Sequence, residues 1–194
     1  MKIVRAMAVL MEKTPLDQLS VTSVCAAAGV SRSLFYQIFV DKYDVVDWVV
    51  TELTRPSVRC IGLTIGWREG FVRLHRLLRN FSEFLIRAER SSDVNALKNL
   101  AYGHARQDLE RALRIRMNVE DIPTLPQFQL EAFALTTTYV TTRWLVGGMD
   151  ETPEQMADMM VTLVPRELFA ALDISCEQSR EWSVLTEYEM FGEA

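Results

Sequence analysis

Apolar positions recur at helical spacing along almost every segment of this chain, which predicts an all-α protein. Ile3, Met7, Leu10 and Met11 mark a first helix, ended near Thr14-Pro15 because the residue before a proline is pushed out of the helical region. Val21, Val24, Cys25 and Ala28 fall at i, i+3, i+4 and i+7 behind Ser20, whose hydroxyl can cap a helix start. Gly29 supplies the left-handed conformation that ends this helix, and Ser31 caps a second short one. Asp41 caps the next, which carries Val45, Val46, Val49 and Leu53 on one face until Thr54-Arg55-Pro56 breaks it. Two short helices joined by a glycine turn form a helix-turn-helix, the arrangement whose second helix enters the major groove of DNA.

Beyond Leu53 the pattern predicts a second helical unit. Gly62, Gly66 and Gly70 around Trp67 make the least regular stretch and predict a linker between domains. Phe71, Leu74, Leu78, Phe81 and Leu85 then describe one long amphipathic helix from Arg68 to Arg90. After Ser91-Ser92-Asp93, where Ser92 or Asp93 is positioned to cap, Val94, Leu97, Ala101, His104, Leu109 and Leu113 continue a helix towards Met117. Ile122 to Pro126 reads as a loop. The β-branched run Thr136 to Thr142 suits a strand locally, but Gln127 to Val146 is too long without a turn signal, so a buried helix is predicted. Gly147-Gly148 ends it. Thr152-Pro153-Glu154-Gln155 is a capping box that opens the last long helix, with Met156, Met159, Met160, Leu163 and Val164 on its face and a kink at Pro165. The tail from Ser175 keeps Trp182, Leu185, Tyr188 and Phe191, and reads either as a short packing helix or as a loosely ordered end.

Composition narrows the function classes. The 194 residues, 49% hydrophobic, are enough for a substantial core. No run of 18 apolar residues spans a membrane, and the first residues reach Glu12-Lys13 too soon for a signal peptide, so a cytoplasmic location is expected. Cys25, Cys60 and Cys176 are widely spaced and form no C-x-x-C, which indicates neither a disulfide framework nor a zinc site, and no cofactor or metal is expected. His75 and His104, with Glu69, Glu83 and Asp108, follow no metal-ligand or triad spacing, and no phosphate loop or nucleophile elbow is present, so an enzyme is not expected. The net charge of −5 runs against simple electrostatic DNA binding. Within residues 1–50, Lys2, Arg5, Lys13, Arg32 and Lys42 balance Glu12, Asp17, Asp41, Asp44 and Asp47.

The run Ala28-Gly29-Val30-Ser31-Arg32, then Phe35-Tyr36, Phe39 and Asp41-Lys42-Tyr43-Asp44, resembles the N-terminal DNA-binding domain of TetR-family transcriptional regulators. The likeness covers about Leu10 to Val50. The resemblance implies an N-terminal three-helix domain over residues 1–53 and a helical ligand-binding and dimerisation domain over 54–194. Trp144 to Met149 followed by Thr152 to Ala157 is similar to the end of a TetR subfamily that includes regulators related to a dihydroxyacetone kinase activator. Family architecture further implies a homodimer in which Phe128 to Val146 and Pro153 to Leu172 pair with their copies. The first of these helices is apolar or small on most of its circumference, which independently asks for cover on both sides; the alternative is that both helices are core within one subunit.

Carried over residue by residue, the resemblance implies that Ser20 and Thr22 bond phosphate, that Arg32, Ser33 and Gln37 face the groove, and that Tyr36 and Lys42 reach the DNA backbone. Arg and Gln pair bidentately with guanine and adenine, so the chemistry suits base readout, and a dimer of such heads implies a palindromic operator. Leu34 and Ile38 stand where many relatives carry Thr and His, which removes two polar backbone contacts. With a neutral head, this keeps open a protein that works mainly through protein–protein contact as a co-activator. The family also implies a small-molecule effector inside the C-terminal domain, whose candidate lining is Phe71, His75, Leu78, Phe84, Tyr102, His104 and Tyr139. The same aromatic residues suit an ordinary core.

Overall fold

Local capping signals place the first helices of the structure, a computed structural model that describes residues 2–90 and 97–174. Helix α1 spans Lys2–Leu10 and buries Ile3, Val4, Ala6 and Met7. A short 3-10 turn, Leu16–Gln18, leads to α2, Val21–Ala28, whose first-turn Ser23 N–H donates to the Ser20 hydroxyl at 3.0 Å. Gly29 takes φ +64° and closes α2, a conformation that costs a glycine no Cβ clash. Helix α3, Arg32–Ile38, starts with the Leu34 N–H on the Ser31 hydroxyl at 3.1 Å. Helix α4, Lys42–Thr54, starts with the Tyr43 and Asp44 N–H groups on Asp41 Oδ1 at 2.7 and 2.9 Å. Val24, Cys25, Phe35, Phe39, Val45 and Val49 close the core beneath these helices, while Val21 is only half-buried.

The rest of the chain is also helical: α5 Trp67–Asn80, α6 Ser82–Glu89, α7 Leu97–Met117, α8 Thr124–Val146, α9 Pro153–Thr162 and α10 Arg166–Leu172. The described residues are thus all-α, with only an isolated Ile61–Ile65 bridge of β type. Helix α5 packs along α9, α7 along α8, and α4 against α7, so that one continuous apolar cluster runs from the helix-turn-helix into the larger unit. Exposed ion pairs clip α5 to α9: Arg68 to Asp158 at 2.7 Å and Arg76 to Glu154 at 2.5 Å. The Arg76 guanidinium holds the Glu154 carboxyl below its usual range. Thr152 and Gln155 complete the predicted capping box of α9, at 3.2 and 2.8 Å.

Several expectations need correction. The long helix predicted from Arg68 to Arg90 is two helices, because buried Phe81 adopts φ −105° and ψ 14° and turns the chain between α5 and α6. Pro126 lies in the first turn of α8 rather than in a loop; a proline there gives up an N–H that has no intrahelical partner in any case. Pro165 breaks the last long helix outright into α9 and α10, since it lacks an N–H and drives Val164 away from helical geometry. On α9 only Met156 and Met160 of the predicted face are buried, and Met159 and Leu163 remain exposed. The glycine stretch is a close-packed corner. Gly62 has φ +75°, and a Cβ there would sit 2.6 Å from the Leu172 side chain on α10. The Thr136–Thr142 run is helical as expected, with the Thr137 hydroxyl donating to the Phe133 carbonyl at 2.8 Å. The Ser91-Ser92-Asp93 break, Val94 and the tail carrying Trp182, Leu185, Tyr188 and Phe191 lie outside the described residues.

Candidate nucleic-acid interface and internal cavity

Every residue of α3 except Phe35 is exposed, because the helix is anchored by that one ring and by Phe39 just beyond its end. Phe35 packs edge-on against Tyr36 at 5.4 Å between centroids, and the Arg32 guanidinium lies over the Tyr36 ring at 5.9 Å. Arg32, Ser33, Tyr36 and Gln37 therefore share one exposed helix with Leu34 and Ile38. Ser20 and Thr22 are exposed at the start of α2, although the Ser20 hydroxyl is already engaged as the cap. Lys42 is half-buried. Its ammonium donates to the Leu19 carbonyl at 2.9 Å and to the Asp17 carbonyl, so two of its three N–H donors tie α4 to the 3-10 turn.

The acidic residues of this head are occupied within the fold. Asp41 receives the α4 cap bonds, Asp44 accepts from the Val40 N–H at 2.8 Å, and Glu12 lies 3.7 Å from Arg87. Asp47 accepts from His104 Nε2 at 2.8 Å. Among the described residues no carboxylate pairs with Arg32. The neutral charge of residues 1–50 is thus unevenly spread, with negative groups satisfied by N–H donors and cations of the fold while the Arg32 cation stands at the surface.

Between α4, α5, α7 and α8 lies a cavity of about 80 Å³. Its wall is built from Val50, Leu53 and Thr54 of α4, Trp67, Phe71, Leu74 and Leu78 of α5, Ala101, Ala105 and Leu109 of α7, and Phe133, Thr137, Thr138, Thr141, Thr142 and Leu145 of α8, with no charged side chain. Of the seven residues predicted for a pocket, Phe71 and Leu78 are in this wall. His75 is buried just behind it: Nδ1 donates to the Phe71 carbonyl at 2.7 Å, Nε2 faces the Thr141 hydroxyl at 3.4 Å, and the ring meets Trp144 edge-on at 5.2 Å. Burial lowers its pKa to about 4, so the imidazole is neutral. Phe84 borders a different cleft, beside Val9 of α1. Tyr102 is half-buried outside the wall, and Tyr139 is 61% exposed on the opposite side of α8. His104 joins α7 to α4 through Asp47 and, at 3.5 Å, Thr51. Nearby, burial pushes the Asp108 carboxyl up against the pull of Arg59 and His104.

Sequence reasoning missed Trp67 and the threonines of α8. The signal was present, since hydroxyl residues clustered on one side of an apolar helix mark a surface that is buried yet not tightly filled by hydrocarbon. Trp67 is 1% exposed, stacks on Phe71 and meets Phe133 edge-on, and its indole N–H has no acceptor among the described residues. A buried donor left unpaired costs about 1–3 kcal/mol. Outside the cavity, α8 leaves Leu125, Phe128, Ala132, Leu135, Tyr139 and Val146 exposed. These recur three, four or seven residues apart and form a straight apolar seam along the helix.

Residues 66–166, over half of the chain, match the family model described as "Transcriptional regulator C-terminal region". The chain belongs to the TetR family of transcriptional regulators. Among solved structures it is similar to "Dihydroxyacetone kinase operon activator DhaS", with 18% identity over 89% of this chain and 97% of that one and a TM-score of 0.59. It is also similar to a putative TetR-family transcriptional regulator from Syntrophomonas wolfei, with 16% identity over 86% of this chain and 93% of that one and a TM-score of 0.53. At these identities the likeness is one of fold. No curated protein matches the chain. No helix among the described residues is long and apolar enough to cross a membrane.

Proposed function

We propose that this chain is a DNA-binding repressor that acts as a homodimer on a palindromic operator and is released by a small effector lodged in the internal cavity. The exposure of α3 carries the reading: a helix held by a single buried ring presents Arg32, Ser33, Tyr36 and Gln37 outward, with no carboxylate among the described residues paired to Arg32. Arg32 and Gln37 suit base edges, and the exposed Leu34 suits thymine methyl groups, which partly offsets the polar contacts it lacks. Thr22, Tyr36 and the remaining donor of Lys42 then face phosphate, and Ser20, whose hydroxyl accepts the α2 cap bond and donates to Ser23 Oγ at 3.1 Å, meets it only by giving up the latter bond.

Dimerisation is supported by the α8 seam, whose three-and-four spacing matches a helix that packs against a copy of its own surface, with exposed Met159 and Leu163 of α9 extending the patch. An apolar surface of this continuity is a partner surface rather than a solvated one. Effector control is supported by the cavity wall itself, because Val50, Leu53 and Thr54 belong to α4, the helix that carries the head. A ligand that fits one setting of α4 better than another shifts the separation of the two heads by that difference in affinity. Enrichment of genomic fragments by the purified full chain, followed by competition with mismatched fragments, tests the reading.

One observation favours the second reading, a co-activator acting through protein contact: two of the six exposed α3 residues, Leu34 and Ile38, are aliphatic. Under that reading the genomic selection yields no enriched fragment, and Leu34→Asp disrupts a complex with a protein partner instead of a complex with DNA.

A further inference from the structure

Two polar contacts join the helix-turn-helix head to the larger helical unit, and they differ in kind. At the first, the Arg87 guanidinium of α6 donates to the Ala8 carbonyl in the last turn of α1 at 3.2 Å, with Glu12 at 3.7 Å. A guanidinium stays charged throughout the range in which proteins fold, so this contact is constant. At the second, Asp47 of α4 accepts from His104 Nε2 of α7 at 2.8 Å, and the Thr51 hydroxyl lies 3.5 Å from the same nitrogen. Histidine is the side chain that gains a charge between about pH 8 and 5, and protonation turns this hydrogen bond into an ion pair. The other charged groups facing the contact are Asp108, one turn along α7, and Arg59 of the Val58–Cys60 turn, 4.0 Å from Asp108, while Arg111 acts on Asp108 from α7 itself.

The second contact stands beside the cavity. On α7, Ala101, Ala105 and Leu109 line the cavity and His104 occupies the adjoining stripe; on α4, Val50 and Leu53 line it and Asp47 and Thr51 adjoin. An occupant that parts α4 from α7 therefore works against the His104–Asp47 bond. Helix α3 follows α4, since the Val40 N–H donates to Asp44 at 2.8 Å and Phe35, Phe39, Val45 and Val49 share one core. We propose that His104 is a positioning residue for DNA binding: through Asp47 it latches α4, and with it α3, in the setting that fits the operator, while the Arg87 contact serves as the pivot. Acid tightens the latch, and an occupant of the cavity opposes it. The inference rests on reading α3 as the helix that meets DNA.

Binding of the full chain to the genomic fragment it enriches best is measured by fluorescence anisotropy at pH 8, 7 and 6 and constant ionic strength. Wild-type affinity should rise towards pH 6 by roughly threefold, less than the full gain from charging a hydrogen bond because both side chains are partly exposed. His104→Gln keeps an N–H for Asp47 but takes up no proton, so it should match the wild type at pH 8 and stay flat down to pH 6. His104→Leu should bind roughly tenfold more weakly than the wild type at pH 6. Asp47→Asn should weaken binding in the wild type and have no further effect in the His104→Leu background. In the DNA-free chain, hydrogen exchange over residues 42–54 should quicken in His104→Leu while residues 153–162 exchange as in the wild type. A flat wild-type profile, a profile that survives His104→Gln, or equal losses from Asp47→Asn in both backgrounds each overturn the proposal and leave DNA binding itself standing. If no fragment is bound at any pH, the DNA reading fails, and exchange over residues 42–54 decides the latch alone: quickening upholds His104 as the residue that holds α4, and unchanged exchange removes that role as well.

Discussion

Helices α3 and α8 both turn apolar side chains to solvent, yet the two surfaces are built differently. On α3, Leu34 and Ile38 alternate with Arg32, Ser33, Tyr36 and Gln37 over two turns. On α8, Leu125, Phe128, Leu135, Tyr139 and Val146 follow one another along almost six turns with small Ala132 between them. A mixed, short surface suits a partner read through hydrogen bonds at a few points, as a base edge is. A long seam that is apolar over most of its length, with Arg143 as the charged residue between Tyr139 and Val146, suits a partner that is itself largely apolar and straight. Exposure alone does not distinguish the two roles; the interleaving of donors does.

The largest expected effect breaks the seam. Leu135→Glu places a charge at its centre, and in a two-fold interface every substitution enters twice, so the dimer should weaken on the order of 4 kcal/mol, about a thousandfold. Sedimentation equilibrium reads this directly. Leu34→Glu, the matching exchange on α3, should leave the dimer intact and remove DNA binding. If both variants remain dimeric, the seam is not the interface. Met160, in contrast, is 1% exposed inside its own subunit, so a charge there tests the core rather than the partner surface.

The buried side of α8 gives the next effect through His75. Because burial lowers its pKa to about 4 from 6.5, the unfolded chain takes up this proton as pH falls below 6.5 while the folded chain stays neutral. The stability held above pH 6.5 is therefore lost between 6.5 and 4, by roughly 3 kcal/mol in all. Chemical unfolding of the wild type and of His75→Gln across this range should show the steeper slope only in the wild type. Parallel slopes would show that His75 titrates normally.

Much of the head was legible because its signals are local. Ser20, Ser31 and Asp41 each bond an N–H within three residues, and Gly29 needs only its own backbone freedom. The turn at Phe81 was not legible, since the apolar period runs through Leu78, Phe81 and Leu85 without a breaker, and the bend arises from packing the buried ring between α5 and α6. The pocket was half legible for a related reason. Periodicity shows that Phe71 and Leu78 share a face, but whether Tyr139 or Thr138 meets that face depends on which side of α8 rests on α7. Tyr139 turned out with the seam and Thr138 in with the cavity.

Two smaller effects sharpen the account of α3. Gln37→Ala should relax the preference for one base pair per half-site, by about 1–3 kcal/mol, in binding titrations against single-position operator variants. Lys42→Ala should cost about 1 kcal/mol of folding stability, because its ammonium serves the Asp17 and Leu19 carbonyls. If its third donor also meets phosphate, the dependence of binding on log salt should become shallower by about one unit. A salt slope equal to wild type would confine Lys42 to its structural role.

The most direct test of the central claim is a hydroxyl-radical footprint of the full chain on the genomic fragment it enriches best. A dimer with α3 in successive major grooves should protect two patches on one face of the duplex, centred about 34–36 Å apart on a near-palindrome, and Arg32→Ala should erase both. A single patch, protection that survives Arg32→Ala, or no enriched fragment at all would contradict the assignment of α3 as the helix that reads DNA.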